Sequence, residues 1–334
     1  MQEIKAGIIG LRMGRAHGRA IAASAGARIA ALCDADPELL AAVAAELGVE
    51  RAETDFRRLV DEPALEVVVV ATPDQFHCEH TVAALEAGKH VLCENPMAPS
   101  REECARMVAA AKAAGRKLMI GHLLRFTPIF QTLKRMRDDG EFGEVYFVGA
   151  EYQFDYSRVG GPWRFDPRVG RHVYLGGGCH AVDLMRYFLG EVSTVVAMGN
   201  HFAAPEMPAD DCVAALYRTS AGHIGQVLVA GGAKRPHAAT LALNGTRGSA
   251  LASNVSSRAQ VWLTRVEELG DQWMTIPAGV NADPVRAQMD HFLGCVRDDL
   301  EPLVNGEEGM RAVAAALAAI ESTGSGQLVA ISHT

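Results

Sequence analysis

Gly7-Ile8-Ile9-Gly10-Leu11-Arg12-Met13-Gly14-Arg15-Ala16-His17 opens the chain, and Asp34 answers it at the end of a second apolar run, Ala27 to Cys33. A short apolar run, Ile4 to Ile9, breaks into a glycine turn that a helix-like segment follows. This is the order a βαβ dinucleotide site needs. Glycines admit a pyrophosphate close to the backbone, a helix N-terminus offers free N–H groups, and a carboxylate after the second strand meets ribose hydroxyls. Arg12 stands where the second glycine of G-x-G-x-x-G would be, and the loop is one residue short. A glycine turn between strand and helix is common by itself; the strand context and Asp34 make it a nucleotide site, with Gly10, Arg12 and Met13 lining it.

The 334 residues suffice for two domains. Apolar residues make up 49% and charged residues 22%, with a net charge of −8 and no basic cluster, which argues against a nucleic-acid partner. Seven scattered cysteines without a C-x-x-C pair read as reduced thiols, with no metal site expected. No secretory signal pattern and no membrane-length apolar run occur, so a cytoplasmic protein is expected.

The first third alternates strand and helix. Leu39, Leu40, Val43, Ala44 and Leu47 sit at helical spacing behind Asp36-Pro37, and Ser100-Arg-Glu-Glu103 is a capping box for a helix running to Gly115. Leu65 to Ala71, His90 to Cys93 and Lys117 to Gly121 read as buried parallel strands. In such a sheet ligands gather at the carboxyl ends of the strands, which selects Thr72-Pro73-Asp74, Glu94-Asn95-Pro96 and Gly121-His122. Beyond residue 121 the rhythm changes to longer strands, among them Val145 to Tyr152, Cys212 to Tyr217 and His223 to Val229, with helices over Pro284 to Asp299 and Asn305 to Ser322. The expected organisation is a Rossmann domain over 1–121 and an α+β domain over 122–334 with a large, mostly antiparallel open sheet, the substrate lying in a cleft between them.

Taken together, Gly7-Ile8-Ile9-Gly10, Cys33-Asp34, Ala71-Thr72-Pro73-Asp74-Gln75-Phe76-His77 and Ala87-Gly88-Lys89-His90-Val91-Leu92-Cys93-Glu94-Asn95-Pro96 resemble the glucose–fructose oxidoreductase/inositol dehydrogenase (Gfo/Idh/MocA) family. Arg125-Phe126, Trp163-Arg164, Gly176-Gly177-Gly178-Cys179-His180-Ala181-Val182-Asp183 and Pro302-Leu303-Val304-Asn305-Gly306-Glu307-Glu308 continue the match in order along the chain. The resemblance implies NAD(P)-dependent redox at a carbinol of a sugar, polyol or cyclitol, and oligomerisation through the second domain's sheet as a homodimer or homotetramer. Asp34, followed by Ala35 and Asp36, favours NAD over NADP; Arg12 is the one feature that could reverse this.

Two departures stand out. The family usually reads Glu-Lys-Pro where this chain has Glu94-Asn95-Pro96, and its lysine is the usual proton-transfer group. Asparagine cannot move a proton but can hold a substrate hydroxyl. Four residues before His180, where many members carry aspartate, stands Gly176. His180 is then the titratable group left for proton transfer, placed in a first helical turn whose dipole favours a neutral ring; the plain alternative is a capping histidine tied to Asp183.

The remaining candidates each have two readings. Glu94 contacts the nicotinamide ribose or merely ends a strand. His77 lies near the adenosine or diphosphate, or caps the helix after it. Trp163 and Arg164 form a lip on the substrate pocket or stack on each other. His122 and Arg125 point to the substrate, or Arg125 braces the domain junction. Asp183 binds substrate or anchors. Tyr174 supplies the missing acid or is a loop tyrosine. Besides a dehydrogenase, the resemblance leaves open a glycoside-cleaving enzyme with transient redox of tightly held NAD, and a catalytically impaired, natural or altered, member that binds NAD.

Overall fold

A computed structural model describes residues 3–158, 162–264, 272–277 and 283–332. Strands apolar on both faces dictate the first sheet. β1 (Ile4–Ile9), β2 (Ala27–Cys33), β3 (Ala52–Glu53), β4 (Val67–Val70), β5 (His90–Cys93) and β6 (Leu118–Ile120) pair in parallel in the order β3-β2-β1-β4-β5-β6. All four valines of β4 are completely buried, as a central parallel strand requires. Five helices connect these strands: α1 (Leu11–Ala23), α2 (Pro37–Leu47), α3 (Phe56–Val60), α4 (His77–Glu86) and α5 (Arg101–Ala114). Asp36 caps α2 by accepting from the Glu38 and Leu39 N–H groups, and Ser100 caps α5 by accepting from Glu103 N–H. Strand order reverses on either side of β1 and β4, so the ends of these two strands form the topological switch point where nucleotides bind.

The second sheet has nine strands: β7 (Val145–Gln153), β8 (Val192–Asn200), β9 (Cys212–Thr219), β10 (Ile224–Ala230), β11 (Ala238–Gly245), β12 (Gly248–Ser253), β13 (Arg258–Leu263), β14 (Met274–Pro277) and β15 (Val329–Ala330). Their order is β14-β13-β12-β11-β7-β10-β9-β8-β15, antiparallel except for the β7–β10 pair. Helices α6 (Pro128–Asp138), α7 (Val173–Gly176) and α8 (Gly178–Leu189) precede or interrupt these strands, and α9 (Pro284–Asp298) and α10 (Gly306–Ser325) follow β14. Helix α8 sits directly on the inner face: a Cβ at Gly225 of β10 would lie 2.5 Å from the Met185 sulfur. The other face is open. Val196 opposes Leu216 and Met198 opposes Ala214 across β8 and β9, and Val196, Met198, Leu216, Ile224 and Leu251 are exposed.

The chain divides into two compact units, Met1–Leu123 with Asp283–Val313, and Leu124–Ala282 with Ala314–Thr334. The sequence reading assigned the whole stretch after 121 to the second domain; the structure returns 283–313 to the first. The reason lies in long-range bonds that composition cannot reveal. Ser24 donates to Asp290 at 2.5 Å, and Ile120 N–H donates to the Val304 carbonyl at 2.9 Å.

Candidate active site

In the first unit the glycine turn has the shape of a nucleotide cradle. Gly10 takes φ +87°, and a Cβ there would lie 2.6 Å from the Ala71 carbonyl carbon and oxygen and 2.7 Å from Thr72 N. Only glycine lets the ends of β1 and β4 come this close. Gly14 performs the packing role one turn on, its Cα facing the Ile8 methyl. No side chain caps α1 from Gly10, and Arg12 and Met13 lie exposed in its first turn. Asp34 accepts from Leu11 N–H at 2.7 Å and from Asp36 N–H at 3.0 Å, so its carboxylate is fixed beside the N-terminus of α1. A glycine cradle, an uncapped helix start and an oriented carboxylate fit a dinucleotide whose ribose hydroxyls donate to Asp34.

The Asn95 segment is held from two sides. Glu94 Oε1 meets His17 Nε2 at 2.5 Å, and Glu94 Oε2 accepts from the Asn95 N–H at 3.2 Å. His17, on the buried face of α1, has no solvent exposure. Gly121 leaves room for this carboxylate, since a Cβ there would stand 3.1 Å from Glu94 Oε2. On the other side His77, also buried, places Nδ1 2.7 Å from the Pro96 carbonyl and Nε2 2.8 Å from the Thr72 carbonyl. Two carbonyl acceptors require two N–H donors, which only the imidazolium has. Burial opposes the charge, but the Cys93 sulfur, Asp74 and the Pro96 carbonyl outweigh it and hold the ring's pKa up at about 10. His77 is therefore not a cofactor ligand, a correction to the expectation above: both nitrogens are spent on protein carbonyls, and it ties the Thr72 turn to the Asn95-Pro96 segment. The Thr72 hydroxyl is set by His80 Nδ1 at 3.1 Å, and burial lowers the His80 pKa to about 4, so that ring is neutral.

In the second unit three close approaches explain the glycine run. A Cβ at Gly177 would lie 2.9 Å from the Phe154 ring, and one at Gly178 2.9 Å from a Val229 methyl. A Cβ at Gly176 would lie 2.5 Å from Nη2 of Arg171. The run lets α7 and α8 lie directly on β7 and β10, and it delivers His180 as the third residue of α8. The His180 ring stacks on Tyr152 with centroids 5.3 Å apart, and Tyr152 packs on His237 at 4.6 Å. His180 is buried at 7% exposure, its ring against that of Tyr152.

For four candidates, Arg125, Asp183, Tyr174 and His122, burial in the core opposes the substrate reading. Arg125 donates to both Asp183 oxygens, at 2.8 and 2.6 Å, with its guanidinium 4.6 Å from the Tyr187 ring centre. Both members of that pair are buried, so they brace the fold, as the anchoring reading of Asp183 had it, rather than bind substrate. Tyr174 is fully buried, 2.9 Å from the Tyr217 hydroxyl, which in turn donates to the Ala315 carbonyl at 3.2 Å. Burial raises the Tyr174 pKa well above the ordinary phenol value, so it cannot be the substituting acid. His122, at the end of β6, is likewise completely buried. Trp163 and Arg164 do stack, the guanidinium 4.6 Å from the ring centre, and Arg171 adds a second guanidinium at 4.7 Å.

Sequence reasoning missed His17, His80 and Arg171. His17 had a signal: it follows Gly14 by three residues and precedes Ile21 by four, on the helix face turned to the sheet. Among the described residues no His, Cys, Asp or Glu cluster is placed to hold a metal ion, and no helix is long and apolar enough to cross a membrane.

Two family models match in succession. The oxidoreductase family NAD-binding Rossmann fold of GFO/IDH/MocA matches residues 4–122, and the GFO/IDH/MocA C-terminal domain matches 130–251. Levoglucosan dehydrogenase of Pseudarthrobacter phenanthrenivorans is 34% identical over 62% of this chain and 56% of its own; the match thus spans little more than half of that relative. Myo-inositol 2-dehydrogenase of Thermotoga maritima is 26% identical over 96% of each chain. The solved structure of levoglucosan dehydrogenase with NADH and levoglucosan superposes with a TM-score of 0.91 at 26% identity, covering all of both chains.

Proposed function

The chain belongs to the Gfo/Idh/MocA oxidoreductase family, and from that premise we propose that it is an NAD-dependent oxidoreductase acting on a carbinol of a sugar, polyol or cyclitol derivative. The observation that carries this reading is the His180 site: a titratable ring in a first helical turn, fixed by a glycine run and an aromatic wall. NAD, when bound, would supply the two-electron oxidant for the carbinol. Gly10 and the first turn of α1 would receive its pyrophosphate, and Asp34 would take its ribose hydroxyls and disfavour a 2′-phosphate.

His180 accepts the hydroxyl proton as the C–H bond breaks, leaving a carbonyl product and a protonated imidazole. Asn95, in the first unit, has an amide able to hold a hydroxyl by hydrogen bonds, the orienting part of a lysine's work without its charge. Glu94-His17 and His77 keep Asn95 in register. NADH formation across a panel of polyols, sugars and sugar acids tests this reading. Accumulating NADH supports it; release of an aglycone without NADH would replace it with the glycoside-cleaving alternative. The protein is further proposed to assemble as a homodimer or homotetramer through the open face of the second sheet, where a trough of about 670 Å³ runs past Gly149, Gln226, Ala242 and Leu251. Light scattering giving the 35.6 kDa monomer mass at micromolar concentration would refute the assembly.

A further inference from the structure

Two histidines one turn apart on α4 grip the same residue just past the end of β4, and they do so in opposite ways. That residue, Thr72, is a wall of the glycine cradle: a Cβ at Gly10 would lie 2.7 Å from its backbone nitrogen. Its carbonyl stands 2.8 Å from Nε2 of His77, and its hydroxyl stands 3.1 Å from Nδ1 of His80. His77 needs a proton on each nitrogen, because the Pro96 carbonyl lies 2.7 Å from its Nδ1. His80 has no such demand on it. Its half-buried ring packs against Phe56, with centroids 4.2 Å apart, and stacks on Phe76 at 5.8 Å. Burial, with smaller pushes from His77 and Arg57, outweighs Glu79 and takes its pKa down to about 4. At neutral pH the ring is uncharged.

An uncharged imidazole has one N–H and one bare nitrogen, and which is which follows from the partners of each. A nitrogen facing a carbonyl must donate, as both do in His77. A nitrogen facing a hydroxyl is free to accept. Among the described residues, Nδ1 of His80 meets no carbonyl or carboxylate that would hold a proton there; its partner is the Thr72 hydroxyl. The ring therefore keeps its proton on Nε2, the form a neutral histidine prefers by itself, and Thr72 donates to Nδ1. This spends the one proton of the threonine side chain within the protein and leaves its oxygen with lone pairs alone. Such an oxygen disfavours phosphate oxygens and accepts from a ligand hydroxyl. The groups that flank a dinucleotide's pyrophosphate on either side are riboses, whose hydroxyls are donors.

We propose that His80 is a positioning residue for the cofactor: it turns the Thr72 hydroxyl so that its oxygen accepts a hydrogen bond from a ribose hydroxyl of NAD. The inference rests on the NAD-binding part of the reading above and not on the reaction. One measurement needs no cofactor. Heteronuclear NMR of the whole protein with isotope-labelled histidine rings, with His80→Phe to assign the signals, reads which nitrogen of His80 carries the proton. A bare Nδ1 and a protonated Nε2 are expected. The other is a double-mutant cycle on the NAD dissociation constant, measured by calorimetry. Thr72→Val keeps the shape without the hydroxyl and should weaken NAD binding about 3- to 10-fold, the range for one neutral hydrogen bond. His80→Phe keeps a ring against Phe56 and Phe76 but removes the acceptor. It should weaken binding about 2- to 5-fold in the parent and not at all in Thr72→Val, since the two act through one hydroxyl.

A proton on Nδ1 of His80 overturns the inference, because the Thr72 hydroxyl would then be free to donate outward to an acceptor such as a phosphate oxygen. This arm decides the matter even if a variant fails to fold. Unchanged NAD affinity in Thr72→Val overturns the inference while leaving the cofactor reading intact. Effects of the two variants that simply add in the double variant mean that His80 acts through packing, and overturn its positioning role. A parent protein that binds no NAD defeats the cofactor reading, and this inference with it.

Discussion

The Asn95 segment and the Gly176 turn are held in opposite ways. Around Asn95 the supports form a closed frame: Glu94 to His17 on one flank, His77 to Thr72 and Pro96 on the other. At Gly176 there is no side chain, and the volume a Cβ would need is taken by Arg171, five positions upstream. A closed frame fixes where a side chain stands, whereas a filled volume fixes which residue can stand there. The first bears on the proposed turnover, the second on packing.

Removing the proton acceptor should produce the largest effect. His180→Ala is expected to lower NADH formation by about 10²–10⁴-fold, the usual contribution of a positioned proton-transfer group, with NAD affinity unchanged. Steady-state rates alongside NAD titration check it; full turnover in the variant would move the chemistry away from this ring.

The frame around Asn95 comes next. His77→Leu leaves the buried Thr72 and Pro96 carbonyls without donors, at a cost of about 1–3 kcal/mol for each. Urea unfolding should show the loss, accompanied by a lower kcat if the frame positions Asn95. The pH dependence has a defined sign. The folded-state pKa of His77 is raised to about 10, above the ordinary histidine value near 6.5. Its stabilisation is therefore complete below about pH 6.5 and is lost as pH rises through about 10. His77→Gln, whose amide does not titrate, should show a flatter stability profile over that window. Parallel profiles for the two proteins would mean that the ring carries no charge in the fold.

The smallest effect is expected from Tyr174→Phe. Its hydroxyl serves the core bond to Tyr217, so about 1 kcal/mol of stability should go while turnover stays within a factor of two. Thermal melts and rates measured together separate the two; a large loss of kcat would restore Tyr174 to the site.

The first unit was the more legible because its signals are local. The valines of β4, Asp36 before Pro37 and the glycine turn after Ile9 each declare a role within a few residues. What escaped there spans distance: His17 meets Glu94 across 77 positions, and His77 reaches Pro96 across 19. Periodicity places a residue on a face but does not name its partner. In the second unit, β7, β9 and β10 were readable as longer strand-like stretches, whereas β12, β13 and β14 were not anticipated. Candidate residues there were chosen by type, and type does not separate a catalytic phenol from one paired with Tyr217, or a substrate arginine from one locked on Asp183. The glycine run was visible in the sequence, but the neighbours that demand it, Phe154, Val229 and Arg171, became visible only once the chain was folded.

The proposal that Asn95 stands where a proton-transfer lysine would act is tested most directly by Asn95→Lys. Asn95→Lys places a cation beside the developing alkoxide and returns a proton-transfer group to an intact frame. Initial rates of NADH formation over a panel of sugars, polyols and sugar acids should rise about tenfold or more relative to the parent. A slower Asn95→Lys enzyme with unchanged NAD affinity would contradict the account, because it would mean the site has been rebuilt around asparagine.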